Sequence, residues 1–153
     1  MQGSGEIIVK YLALSLAVLA AGAATPAAAE NWHPFSRSQN NVFMADVDSI
    51  VANGDITTVH VATAPRTGTP GDYSHSVETY EIQCATGKWR TAGVIEYGPD
   101  GAESDRYPEE GAAWEDVRPN TSPQFLNDIV CKGTRAQPPT WPNIKAFVDA
   151  GRN

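Results

Sequence analysis

The stretch His75–Cys84, HSVETYEIQC, alternates with the period of a β-strand: Thr79, Glu81 and Gln83 fall on one side, Tyr80, Ile82 and Cys84 on the other. ATGK then turns the chain, and WRTAGVIEYG, Trp89–Gly98, returns as the second arm of an antiparallel hairpin. An isolated hairpin is barely stable in water, so this one requires further strands and a cover for its apolar side. The alternation predicts that Cys84 points inward with Tyr80 and Ile82.

The remaining elements are read from punctuation and period. NVFMADV, Asn41–Val47, reads as a strand, Asn53-Gly54 turns the chain, and the β-branched run ITTVHVATA, Ile56–Ala64, pairs back against it. Two segments read as loops: the Gly/Pro/Ser-rich Pro65–Ser74 and the acid-rich Pro99–Ala113. WEDVRP, from Trp114, reads as a short last strand. The period then changes, with Ser122 as a helix cap, Pro123 at the first helical position, and Phe125, Leu126, Ile129 and Val130 at helical spacing. Cys131 falls about 170° from the centre of that stripe at 100° per residue. The helix is therefore predicted to end by Val130, with Lys132-Gly133 as its stop and Cys131 swinging inward. A second helical spacing runs from Pro142 to Ala150, with Trp141, Ile144, Phe147 and Val148 on one side.

Upstream of these elements stands an apolar run, Tyr11–Ala24, followed by Ala27-Ala28-Ala29, the small-x-small pattern of a signal peptidase site. The run has about 14 residues where a membrane span needs about 20. Residues 1–29 are thus expected to be a signal peptide cleaved between Ala29 and Glu30, leaving no stable membrane anchor and placing the mature chain in the periplasm or outside the cell. No cysteine follows the run to accept a lipid, and the mature chain of about 124 residues suits one domain. Its net charge of −7 argues against nucleic acid and anionic membrane surfaces as partners. Both cysteines, Cys84 and Cys131, lie in the exported part, where a pair is expected to be bridged.

Catalytic signatures are sparse. His33, His60 and His75 are scattered without metal-ligand spacing, and His60, among valines, reads as a hydrogen-bonded sheet residue. Ser74 and Ser76 flank His75 without forming a triad, and no nucleophile elbow is present. Glu103, Asp105, Glu109 and Glu110 lack the spacing of a calcium loop and read as a solvated acidic surface. Asn120-Thr121-Ser122 matches a glycosylation sequon, but its hydroxyls are better explained as helix caps. No metal or cofactor is expected. Trp32, Trp89 and Trp114 each open an element and read as seals on a small core. Tyr73 and Tyr107, in the two loops, are with the four acids the candidate partner contacts.

Taken in order, Trp32, Phe43, Asp46, Ser49 and Ile50, then Ser76, Tyr80, Glu81, Ile82, Cys84 and Arg90, then Trp114, Pro119, Ser122 and Cys131 resemble the surface-adhesin protein E-like family of exported bacterial proteins. The resemblance covers residues 31–133. It implies an α+β fold: an antiparallel sheet with a C-terminal helix packed on its concave face and tied to it by one disulfide, which supplies Cys84 with Cys131 as its partner. The expected organisation is signal peptide 1–29, domain 30–133 and a C-terminal extension 134–153. The expected function is that of an exported, non-enzymatic binding domain for an unidentified protein or small ligand. A surface adhesin contacting host matrix proteins and a small periplasmic enzyme are the alternatives.

Overall fold

The structure, a computed structural model, describes residues 29–153. The expected signal segment lies outside the described residues except for Ala29. Six strands follow one another as an antiparallel meander in the order β1-β2-β3-β4-β5-β6: β1 (Trp32–Arg37), β2 (Asn41–Asn53), β3 (Ile56–Pro65), β4 (His75–Gln83), β5 (Lys88–Tyr97) and β6 (Glu103–Pro108). A two-residue strand, β7 (Glu115–Asp116), pairs with the start of β5. Helix α1 (Ser122–Lys132) and helix α2 (Ile144–Asp149) complete the fold. The α+β class, the antiparallel sheet and the helix tied to it by a Cys84–Cys131 disulfide are all present.

The central strands are buried on both sides. Met44 and Ala45 are neighbours in β2, Val61 and Ala62 are neighbours in β3, and all four are buried. Consecutive strand residues point to opposite faces, so one member of each pair looks each way. The registers Met44↔Ala62 and Ala45↔Val61 carry the division across the strands. One cluster gathers Trp32, Val42, Met44, Ala62, Ala64 and Val77 under Ile144, Phe147 and Val148 of α2. The other gathers Ala45, Val59, Val61 and Ile82 under Leu126 and Ile129 of α1. Each helix covers one face.

Local chemistry fixes both covers. Thr121 caps α1 by accepting from the Gln124 amide, one residue earlier than the sequence reading, and the Ser36 and Ser122 hydroxyls share a 2.7 Å hydrogen bond that ties the helix start to β1. Gly133, at φ 70°, closes the other end. Asn143 caps α2 by accepting from the Ala146 amide. Trp32 and Trp141 exchange backbone hydrogen bonds of 2.8 and 3.0 Å, carrying the chain from the β1 edge into α2. Beyond α2, buried Arg152 donates to the carbonyls of Pro65 and Asp72. A Cβ on Gly68 would approach the Arg152 guanidinium to 2.9 Å, so a larger residue there would have to displace that guanidinium.

Several sequence readings change. Cys84 does not point into the core: β4 ends at Gln83, Cys84 begins the turn, and its side chain is exposed. The bridge therefore lies at the end of the sheet, with Cα atoms 5.6 Å apart, where Cys131 reaches it from a helix that continues to Lys132. No inward swing of Cys131 is needed because the meeting point is not under the apolar stripe. β2 continues past Val47 to Asn53. Two strands were not legible. β1 contains Pro34, tolerated because an edge strand needs donors on one side only. β6 occupies much of the expected 99–113 loop, held by backbone pairing to β5 although all its side chains are exposed. His60 is exposed on its strand, and its backbone amide donates to the Ser49 hydroxyl at 2.9 Å.

Phe147, with no exposed surface, closes the α2 face, and Leu126 closes the α1 face. Phe147→Ala is expected to cost about 3–5 kcal/mol and Leu126→Ala about 2–5 kcal/mol in urea unfolding. A Phe147→Ala loss below about 1 kcal/mol would show α2 to be an appendage rather than a cover.

Candidate functional site

α1 packs against β1 and β2, and on its side of the sheet the outer strands β4–β6 carry acids and one exposed aromatic ring. Register places them together: Val61 pairs with Glu78, Glu78 with Val94 and Val94 with Tyr107, while Ser76 pairs with Glu96 and Glu96 with Asp105. Thr91 donates from its hydroxyl to the Glu109 carboxylate at 2.6 Å, which draws Glu109 to the same side as Tyr80 and Glu78. Burial raises the Glu78 carboxyl above its ordinary value; the Tyr80 hydroxyl opposes that rise, and Glu109 and Glu96 add to it. Burial likewise raises the Tyr80 phenol, with Glu78 adding to the effect. Among the described residues, the ion pairs include none of Glu78, Glu96, Asp105, Glu109 and Glu110. Glu96 and Asp105 stand directly opposite each other, an arrangement that destabilises a sheet.

The candidate contacts named from sequence divide between the faces. Asp105, Tyr107 and Glu109 belong to this acidic face, and Tyr107 is 55% exposed. Glu103 belongs to the other: it is bonded to Arg106 at 2.8–2.9 Å and pairs with Tyr97, whose ring packs on the α2 cluster. Glu110 is exposed beyond the strand. Arg90 fastens this segment to the sheet, with Glu81 at 2.6 Å and its guanidinium 4.3 Å over the Trp114 ring. Glu78 and Glu96 were missed because each sits in a strand whose alternation reads as ordinary solvent-facing polarity; only cross-strand register joins them to Asp105 and Glu109.

Tyr73 lies on the opposite face, in a cleft of about 230 Å³ between the sheet end and α2. Its hydroxyl donates to Asp149 at 2.9 Å and accepts from Lys145, whose ammonium also stands 3.7 Å from the ring centroid. The cleft floor is Trp32, Val77 and Ile144. Along one wall the His75 and Tyr97 rings stack 4.4 Å apart and nearly parallel. Burial lowers the His75 pKa, while the 2.7 Å contact of Nδ1 with the Tyr73 carbonyl, and then Glu30 and Glu96, act in the opposite direction.

Among the described residues no group of three or more histidines, cysteines and carboxylates is placed to hold a metal ion, and no serine or threonine hydroxyl is bonded to a histidine ring. The Ser74 hydroxyl donates to Asp72 at 2.6 Å instead of to its neighbour His75. Buried His33 accepts at Nδ1 from the Ala136 amide at 3.2 Å and links β1 to the segment after α1.

Residues 32–132 match the family model described as surface-adhesin protein E. Among solved structures, crystal form II of Haemophilus influenzae protein E resembles this chain at 13% identity and TM-score 0.45, covering 65% of this chain and 93% of that one. No curated protein matches this chain.

The Glu96–Asp105 opposition is expected to have a measurable cost. Glu96→Gln should raise stability by about 0.2–1 kcal/mol, read from thermal or urea unfolding near neutral pH. A loss of stability instead would mean that Glu96 is held by favourable contacts rather than strained against Asp105.

Proposed function

The chain belongs to the surface-adhesin protein E family, and from that membership we propose that it is an exported, non-enzymatic binding domain. Its partner is a protein bearing a lysine- or arginine-rich surface, received on the acidic face of β4–β6. The observation that carries this reading is the set Glu78, Glu96, Asp105 and Glu109, on one face and outside every ion pair among the described residues, with exposed Tyr107 among them. A sheet that keeps like charges opposed where uncharged residues would be more stable is suited to a partner that neutralises them. Tyr107 supplies the large ring around which binding energy concentrates. The rigid strands beneath hold the charges in place without ordering a loop on binding. Export proceeds through residues 1–29, leaving the family domain 30–133 and a C-terminal segment 134–153 whose α2 completes its core. The family name makes display on the cell surface the second reading, which fractionation of cells with a probe of the outer surface separates from a periplasmic location.

A synthetic peptide rich in lysine and arginine tests the surface. Binding is expected to weaken with added salt and to fall by about tenfold or more when Glu96→Gln, Asp105→Asn and Glu109→Gln are combined. The combined variant should fold at least as stably as the parent, because it removes repulsion. Unchanged binding by a folded triple variant would refute the surface.

The export route is checked separately. N-terminal sequencing of protein recovered from the cell envelope or medium is expected to begin at Glu30, and material that still began at Met1 would overturn the cleavage reading.

A further inference from the structure

The cleft on the α2 face lies on the opposite side of the sheet from the acidic face, and its chemistry can be resolved by asking which of its polar groups are already engaged. The Trp32 indole N–H donates to Glu30 Oε2 at 2.8 Å. The Tyr73 hydroxyl has both a donor and an acceptor partner, and Lys145 divides its ammonium between that hydroxyl and Asp149 at 3.6 Å. Asn143 uses its side-chain oxygen to cap α2. With its Nδ1–H given to the Tyr73 carbonyl, His75 keeps Nε2 as an acceptor. Two carboxylates line the space, and neither Glu30 nor Asp100 is in an ion pair with a side chain among the described residues; the α-ammonium that cleavage before Glu30 creates sets one positive charge against their two negative ones. The only side-chain ammonium in the lining is turned to Asp149.

We propose that this cleft binds a small organic cation: an amine whose ammonium lies between the Glu30 and Asp100 carboxylates and whose hydrocarbon body rests on the rings of Tyr73 and Tyr97. An anion would meet two carboxylates that no side-chain cation offsets. A neutral polyol would find most of the lining donors engaged. An ammonium supplies the missing positive charge and the N–H donors, and the π faces of the lining attract it further. Lys145 over Tyr73 shows the same pairing within the protein. At about 230 Å³ the cleft is below the range of roughly 300–1,000 Å³ for drug-sized ligands, which sets the ligand at the scale of a single ring or a short chain. This site does not depend on the reading of the acidic face.

Three ligands of one shape and different charge test it on the unaltered protein: 2-phenylethylamine, 2-phenylethanol and 3-phenylpropionate, titrated while backbone and side-chain NMR shifts are followed. The amine is expected to shift His75, Tyr97 and Ile144, to bind about tenfold or more tightly than the alcohol, and to leave Glu96 and Tyr107 unmoved; the acid should not bind. Combining Glu30→Gln with Asp100→Asn, both at the open rim, should reduce amine binding by about tenfold without changing the rest of the spectrum. Equal binding of amine and alcohol, or shifts centred on Glu96 and Tyr107, would overturn the proposal. So would undiminished amine binding by the rim variant.

Discussion

A sheet whose central strands are buried on both sides must be covered twice. Met44 beside Ala45 and Val61 beside Ala62 impose that condition, because whichever face is left open exposes half of the core. The two helices are therefore structural necessities, and the chain secures each by a different means. α1 is joined to the end of the sheet by the Cys84–Cys131 bridge and to β1 by the Ser36–Ser122 hydrogen bond. α2 has no covalent tie. It is held between the Trp32–Trp141 backbone pair before it and the Arg152 guanidinium after it. A six-residue helix has little stability of its own, so these flanking contacts and the burial of Phe147 determine whether it forms.

The covers do not extend equally over the sheet, and the surface chemistry follows from that. α1 lies over β1 and β2, so the same face becomes polar toward β5 and β6, where no helix has to be accommodated. The exposed edge strand is unsuited to stray pairing with other chains because it carries Glu103, Asp105 and Arg106 and ends at Pro108. Only part of the acidity serves that protective purpose. Glu103 is matched by Arg106, whereas Asp105 faces Glu96 and neither is in an ion pair among the described residues. The first arrangement is an ordinary solvated ion pair; the second stores repulsion that a cationic partner would relieve.

How much of this was legible in the sequence depends on whether a feature is local. The hairpin around ATGK, the strand of β-branched residues and the helical stripe of α2 follow from periods visible within ten or so residues, and they hold; the α1 stripe holds at Leu126 and Ile129, whereas Phe125 is exposed. β1 and β6 escaped because neither has the β-branched alternation that marks a strand; each is kept in place by its neighbour's backbone. The orientation of Cys84 was misjudged by extending an alternation one residue beyond the end of its strand. For the candidate sites, sequence could nominate Tyr73, Tyr107 and the acids between Glu103 and Glu110. It could not show that Tyr73 and Tyr107 stand on opposite faces, or that the acids divide between them, because that depends on register.

The facing of β5 depends on one irregularity, as the placing of Glu103 opposite Tyr97 depends on a second between Glu96 and Tyr97. Between the pairs Glu78↔Val94 and Tyr80↔Thr91, β5 uses one more residue than β4, and Gly93 occupies the bulge at φ 125°. A Cβ there would meet the Tyr107 carbonyl at 3.0 Å, so both the backbone angle and the close approach of β6 call for glycine. Before the bulge, Trp89 and Thr91 point to the α1 face; after it, Val94 and Glu96 do, and Ile95 and Tyr97 turn to the other side. Without the extra residue the parity of β5 would reverse beyond this point. Glu96 would then enter the aromatic cleft, and Tyr97 would leave His75 for the acidic face. The separation of a charged sheet surface from an aromatic cleft thus rests on one inserted residue at a position where a side chain does not fit.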